Sequence, residues 1–206
     1  MIKHASSRTL LPNRFTRILA STVLVTIGAG VASAAMNSID TSATASSTAD
    51  RIVVTGPGLL FPIEPFPMCE VLNNFGGYSA TFGAGGHQGV DIGARTGQKV
   101  YAVATGVLYR KFSDLGSAAG YGWGLLSDAD TKYRYYHLSS FADGLAEGDR
   151  VQVGDLIGYV GDTGNATPGG WHLHFEVRPG PAPHLKPVDP VPLLAIPTIC
   201  NVYNRR

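Results

Sequence analysis

The chain has 206 residues, of which 15% are charged, with 26 glycines, 13 prolines and a formal net charge of +1. This length suits one compact domain with some chain left over for tails, and the composition is typical of short strands joined by tight turns. A helical bundle is disfavoured, because no window combines a long helix-period apolar pattern with capping residues.

The first 34 residues have the pattern of a secretory signal peptide. A basic segment without acids (1–17) precedes the uncharged run ILASTVLVTIGAGV, and ASAA then supplies a small-x-small cleavage site. We expect cleavage after Ala34, because the apolar run is short for a transmembrane helix; an uncleaved anchor is the alternative. The mature protein is then exported to the periplasm, cell wall or exterior, and it meets the membrane only transiently through its signal.

Removal of this segment changes the charge of the chain. It takes four of the 16 basic residues and none of the 15 acidic ones, which leaves a net charge of about −3. A weakly acidic mature chain argues against nucleic acid as a partner.

Residues 35–55 are predicted to be a linker, since the stretch MNSIDTSATASSTAD within them has almost no bulky apolar side chain. The domain would then occupy residues 56–206. Its first part (56–86) is rich in Gly and Pro and is predicted to be irregular.

The rest of the domain is predicted to be mostly β. A hairpin turn is expected at 127–130, a flexible loop at 164–170, and an extended, proline-punctuated closing segment VDPVPLLAIP. Period-two patterns and Gly-bounded apolar runs predict strands at 89–93, 99–111, 122–127, 132–138, 150–153, 156–160 and 171–178.

Cys69 and Cys200 are the only cysteines of the chain. In an exported protein, two cysteines near the two ends of a domain most simply form one disulfide. Two buried free thiols are the alternative. Zinc binding by these cysteines is the least favoured hypothesis, because neither cysteine has a CxxC or CxH neighbour.

The segment HQGVD carries His87 and Asp91 on one face of extended chain. Full extension would separate them by roughly 13 Å, at about 3.3 Å per residue, which is too far for one metal ion. The glycines at 85, 86 and 89 would have to let the chain bend before the two side chains could converge.

The segment WHLHFEV places His172 and His174 on one strand face, and Leu173 and Phe175 on the opposite face. Both imidazoles can reach one small volume, so both could bind a metal, or one could bind while the other faces a substrate. Spacing alone does not decide between these two arrangements. His137, at the end of YRYYHL, could join this polar floor or merely end an aromatic strand.

Together, a His, an Asp and a His form a three-ligand set that suits Zn²⁺ with one open position for water. Further histidines beside such a site are what proton transfer near neutral pH requires.

Four segments of the chain resemble the lysostaphin- or LytM-type zinc endopeptidases, which cleave peptide bonds in bacterial peptidoglycan (metallopeptidase family 23). These segments are HQGVD, YYHLSSF, EGDRVQVGDLIGYVGDTG and HLHFEV. The similarity runs from about Phe61 to Leu194, and the order HxxxD, HLS, HxH is its specific part.

The resemblance implies a folded antiparallel β-sandwich with a narrow zinc-containing groove. It implies one Zn²⁺ per domain held by His87, Asp91 and His174, with His137 and His172 as catalytic histidines that are not ligands. The implied function is an exported, monomeric endopeptidase that hydrolyses peptidoglycan peptides. His184 matches no position of the pattern and is interpreted as a loop residue.

The chain departs from the family pattern in two places. It has TPGGWHLHFE where the family usually has TGPHLHFE, which alters one expected wall of the groove. It has SDADTK (127–132) where the family often has an HGNG hairpin tip, which bears on the cell-wall peptide that fits.

Two other functions are compatible with parts of the pattern. A non-catalytic cell-wall binding or hydrolase-regulating module could share the fold, but all five site positions are present here. The Gly-led repeats at 96–108 and 147–161 also resemble biotinyl or lipoyl carrier domains. However, the surroundings of Lys132 do not match the lysine-bearing tip of such a domain.

Overall fold

The computed structural model describes residues 58–78, 85–166, 168–181 and 186–204. The predicted signal peptide, the predicted linker and His184 lie outside these residues. The prediction of a mostly β protein is confirmed, with these strands: β1 (Glu70–Asn73), β2 (Val90–Gly93), β3 (Lys99–Tyr101), β4 (Gly106–Phe112), β5 (Tyr121–Ser127), β6 (Lys132–Phe141), β7 (Arg150–Val151), β8 (Leu156–Val160), β9 (His172–Arg178) and β10 (Asn201–Asn204). In the described part of the chain, no helix is both long and apolar enough to cross a membrane.

The strands form one hydrogen-bonded sheet that folds over on itself. Its main path is β10-β1-β2-β9-β6-β5-β4-β7, and β3 and β8 lie off this path. The first part of β6 pairs with β9 and the last part pairs with β8, which in turn pairs with β3. The predicted sandwich is therefore a single sheet whose two layers share β6. The pairs are antiparallel, as predicted, apart from the parallel pair of β1 and β10.

The change of partner along β6 occurs at His137. This residue has a left-handed φ of 63°, and the register with β5 shifts at the same place, between Tyr121 and Trp123. The backbone is held by two hydrogen bonds: His137 N donates to Ala119 O (3.1 Å), and Gly161 N donates to His137 O (2.9 Å). Such a conformation costs about 1–3 kcal/mol for a non-glycine residue, and strands commonly bulge and bend beside functional sites.

The core lies between the two layers. Val90, Phe175, Tyr135 and Trp123 occupy one cross-strand row over β2, β9, β6 and β5, and all four are fully buried. The polar atoms of two side chains in this row make hydrogen bonds to backbone groups of the second layer. Trp123 Nε1 donates to Ile157 O (2.8 Å), and the Tyr135 hydroxyl accepts from the backbone N of Val103 (3.0 Å). The alternation that buries these residues leaves the other face of the same strands for the polar site.

Three details of the strand prediction were wrong. The predicted strand 99–111 is two strands, because β3 pairs with β8 in the second layer and β4 pairs with β5 in the main sheet. Between them the chain turns at Ala102, which exchanges backbone hydrogen bonds with the 154–155 turn. The predicted irregular entry segment contains β1, and the end of the domain contains β10, which was not predicted.

A disulfide joins Cys69 to Cys200 across 131 residues of sequence, so the predicted pairing is confirmed. The two cysteines come directly before β1 and β10, whose pairing begins with Glu70 opposite Asn201. The bond therefore links β1 and β10, the two strands that form this edge of the sheet and come from opposite ends of the domain.

We predict that replacing both cysteines by serine lowers the free energy of unfolding by about 2–5 kcal/mol, because the unfolded chain loses the constraint of a long covalent loop. Urea unfolding followed by the fluorescence of the buried Trp123 measures this change. Reductant should destabilise the wild-type protein and leave the double variant unaffected. Equal unfolding midpoints for the two proteins would contradict the prediction.

Candidate metal centre

His87 enters the site from a bent segment that precedes β2. Gly86 has a φ of 65°, and His87 exchanges backbone hydrogen bonds with Gly76 and Gly77. A Cβ atom on Gly89 would lie 2.3 Å from the carbonyl oxygen of Phe175, so only glycine lets the chain pass this close to β9. This is the bend that the sequence required, and His87 accordingly lies outside β2.

Asp91 and His174 are direct cross-strand neighbours in β2 and β9. Asp91 Oδ1 lies 3.1 Å from His174 Nδ1 and 3.3 Å from His87 Nε2, and the two nitrogens are 2.9 Å apart. The structure thus brings together the three residues that the resemblance names as ligands. They form the one group of three potential ligands found in the described residues.

These atoms have the chemistry of a metal site. The edge of a tetrahedron with bonds of 2.0–2.1 Å is about 3.3 Å, close to the three observed separations. Hydrogen bonds account for the contacts less well, because if both imidazoles donate a proton to Asp91, their two donor nitrogens are left facing each other. A cation bound by all three atoms removes this conflict, so the residues present fit a zinc ion.

The carboxylate of Asp91 is held from its far side. Asn74, just after β1, donates from Nδ2 to Asp91 Oδ2 (2.7 Å), so Oδ1 is the oxygen that faces the imidazoles. Burial would raise the pKa of Asp91, but hydrogen bonds from His174 and His87 outweigh it and hold the pKa well below its usual range. Asp91 is therefore ionised and ready to bind a cation.

His174 lies between two carboxylates. Its Nδ1 faces Asp91, and its Nε2 lies 3.3 Å from Oε1 of the buried Glu176. Burial would lower the pKa of His174, but the bonds to Asp91 and Glu176 raise it to about 9. The surroundings therefore favour a positive charge at Nδ1, which a metal ion can supply in place of a proton.

Glu176 is ionised as well. Burial would raise its pKa, but the hydrogen bonds from His174 and Arg178 lower it. Arg178 Nε donates to Oε2 (2.6 Å), Arg134 Nη1 lies 3.5 Å away, and Arg178 also binds Gln88. Since Glu176 accepts the Nε2 proton of His174, it leaves the Nδ1 lone pair for the metal.

His137 and His172 share one anchoring arrangement. His137 Nδ1 lies 2.7 Å from the carbonyl oxygen of Thr163, and His172 Nδ1 lies 2.7 Å from that of Gly170. A carbonyl only accepts, so each Nδ1 carries the proton and the Nε2 of a neutral ring keeps its lone pair. Burial, and secondarily His172, lowers the pKa of His137 to about 4, so this ring is neutral at neutral pH.

The five site residues line one groove of about 380 Å³; they are His87, Asp91, His137, His172 and His174. The rings of His137 and His172 are 4.7 Å apart, and His172 Nε2 lies 3.7 Å from Asp91 Oδ1. The rest of the lining is small or polar and consists of Gly86, Gln88, Ala118, Ala119, Tyr136, Asn165, Ala166 and Glu176.

Sequence reasoning missed the residues that hold the site groups in place. Glu176 and Arg178 could have been found, because they continue the alternation of His172 and His174 along the same face of β9. Asn74 and the carbonyl of Thr163 carried no such signal, since their roles depend on contacts between distant segments.

Comparison with known proteins gives the family. The model of peptidase family M23 matches residues 85–190 of the chain. The DD-carboxypeptidase/endopeptidase Mpg of Neisseria meningitidis is 40% identical over 116 residues, which are 54% of this chain and 23% of that protein. The glycyl-glycine endopeptidase ALE-1 of Staphylococcus capitis is 32% identical over 123 residues, which are 58% of this chain and 32% of that protein.

Comparison with solved structures indicates the same family. The catalytic domain of lysostaphin from Staphylococcus simulans aligns with a TM-score of 0.53 and 28% identity, over 60% of this chain and 90% of that domain. The chain spans about a quarter to a third of the length of the two curated relatives named above. The matched segment contains all five site residues, four histidines and one aspartate, and the chain belongs to peptidase family M23, a family of metallopeptidases.

Proposed function

We propose that the protein is an exported, monomeric, zinc-dependent endopeptidase that hydrolyses peptide bonds in bacterial peptidoglycan. The observation that carries this proposal is the convergence of His87 Nε2, Asp91 Oδ1 and His174 Nδ1 within 2.9–3.3 Å of one another at the floor of a groove. The names of the relatives support peptide-bond hydrolysis, since both are endopeptidases, and the signal-like N-terminus supports export.

In this proposal His87, Asp91 and His174 hold one Zn²⁺. A bound zinc ion supplies Lewis acidity for the scissile carbonyl and makes a water molecule more acidic. Two neutral imidazoles and one carboxylate balance half of the charge of the ion, and Glu176 supplies a second negative charge behind His174.

His137 and His172 act on the substrate in this proposal. Their Nδ1 protons are bound to backbone carbonyls, so the Nε2 atoms are free to take a proton from the attacking water and to return one to the leaving amine. The two carbonyls belong to Thr163 and Gly170, both of which lie between β8 and β9. The low pKa of His137 keeps its ring available as a proton acceptor at neutral pH.

The proposal is tested with the purified protein and isolated bacterial cell walls. We expect soluble muropeptides with new amino termini, detected by mass spectrometry, and loss of this activity when zinc is chelated. A folded, zinc-loaded protein that cleaves no cell-wall peptide would contradict the proposal and favour a binding or regulatory module.

We predict different losses from two neighbouring histidines of β9. His174→Ala removes a ligand and should bring the zinc content close to zero, whereas His172→Ala should keep about one zinc per chain and lose activity by about 10²-fold or more. Metal analysis after gel filtration, together with rates on muropeptides, separates the two outcomes. Equal loss of zinc from both variants would show that His172 is also a ligand.

We also predict that Glu176 is a positioning residue for His174. Glu176→Ala should weaken zinc binding by about 10–100-fold, because His174 loses the acceptor that fixes its tautomer. Glu176→Gln keeps an acceptor oxygen and should recover most of this affinity. Competition with a zinc chelator dye measures both values, and equal affinities for Gln and Ala variants would rule out a role through hydrogen bonding.

A further inference from the structure

The face of the main sheet that carries the site continues beyond the groove, over β6, β5 and β4. Strand register places Asp91, His174 and Tyr136 in one row. Beyond the register shift between β6 and β5, Gly122 lies opposite Phe112. A second row beside it contains Glu176, Arg134, Gly124 and Arg110. The metal centre is therefore at one end of a wider surface.

Glycine in β5 gives this surface its shape. A Cβ atom at Gly122 would lie 2.9 Å from Cδ1 of Tyr136, and one at Gly124 would lie 2.7 Å from Cζ of Tyr109. Because both positions are glycine, β5 has no side chain above the sheet there. The side chains of Tyr136 and Tyr109 therefore occupy the space above these two glycines.

A chain of aromatic contacts connects this surface to the metal centre. The Tyr136 ring stacks on His174 with centroids 5.6 Å apart and an interplanar angle of 11°. Phe112 meets Tyr136 edge to face at 5.0 Å. Tyr136 also lines the groove, so the groove opens onto the aromatic surface without a break.

Basic side chains lie on these rings. Arg110 Cζ is 4.8 Å from the centroid of Phe112, and Lys132 Nζ is 5.1 Å from that of Tyr109. Arg134 is partly exposed, and its Nη1 lies 3.5 Å from Oε2 of Glu176. Within the described ranges Arg110 and Lys132 make no ion pair, so this part of the surface has an excess of positive charge.

We propose that Tyr109, Arg110, Phe112, Lys132 and Tyr136 form a subsite for a carboxylate-bearing stretch of the peptide substrate. The subsite rests on the proposed function, because it gives the groove its substrate class: acidic peptides that extend from the scissile bond over β5 and β4. The aromatic rings provide an apolar floor, and the cations beside them attract carboxylates.

The test uses Arg110→Gln combined with Lys132→Gln in the full protein. Lys111→Gln is the matched control, because Lys111 is adjacent in β4 but lies on the opposite face, 4.2 Å from the Phe141 centroid. The probes are muropeptides with free carboxylates and the same muropeptides after chemical amidation. The readouts are KM and kcat, and binding to the chelator-treated protein by calorimetry.

For free-carboxylate muropeptides, the double variant should raise KM and the dissociation constant by about 2–30-fold, as expected for the loss of two exposed charge interactions, with kcat unchanged. Amidated muropeptides should bind the wild-type protein and the double variant alike, and the control should match the wild type. An unchanged KM, or equal losses for amidated muropeptides, would overturn the subsite.

The binding measurement separates this proposal from the proposed function. Carboxylate-dependent binding without any cleavage would leave the subsite in place and reject the endopeptidase. Cleavage with charge-independent binding would support the endopeptidase and reject the subsite.

Discussion

The register of β2 against β9 is the constraint on which both the fold and the site depend. It sets Asp91 opposite His174 and, on the other face, Val90 opposite Phe175. Because successive residues of a strand alternate between faces, a slip of one residue would bury the carboxylate in the core and expose the aromatic ring. The apolar core thus stabilises the one alignment in which two candidate metal ligands meet.

Around this alignment, buried charges are arranged as an alternating series. Asp91, His174, Glu176 and Arg178 contact one another in turn, and the side chains of the last three are no more than 11% exposed. A single buried charge would be strongly destabilising, whereas each group here has a partner of opposite sign on at least one side. The series runs from Asp91 at the metal centre to the Arg178 guanidinium, so the carboxylate that orients His174 is itself balanced by a buried cation.

The sequence predicted those features that depend on local alternation. The split of β9 into a polar and an apolar face, the pairing of the two cysteines and the need for a bend at Gly86–Gly89 could all be inferred from residue types and spacing. The ligand set and the two further histidines came from a family resemblance, because His87, Asp91 and His137 approach His174 only in the folded chain. The break between β3 and β4 had no local signal, since the apolar run of residues 100–104 continues through Ala102 while the chain changes layers. β10 was missed for a related reason: all four of its residues are exposed, so it has no buried face to create a pattern, and its position depends on the disulfide and on β1.

X-ray absorption at the zinc edge of the purified, zinc-loaded protein tests the central claim most directly, because imidazole rings add outer-shell scattering that can be counted. The account predicts two imidazoles per zinc ion, with nitrogen and oxygen neighbours at about 2.0–2.1 Å. The count should stay at two in His172→Ala. Three imidazoles in the wild-type protein, or the loss of one in His172→Ala, would contradict the division between the histidines that bind zinc and those that act on the substrate.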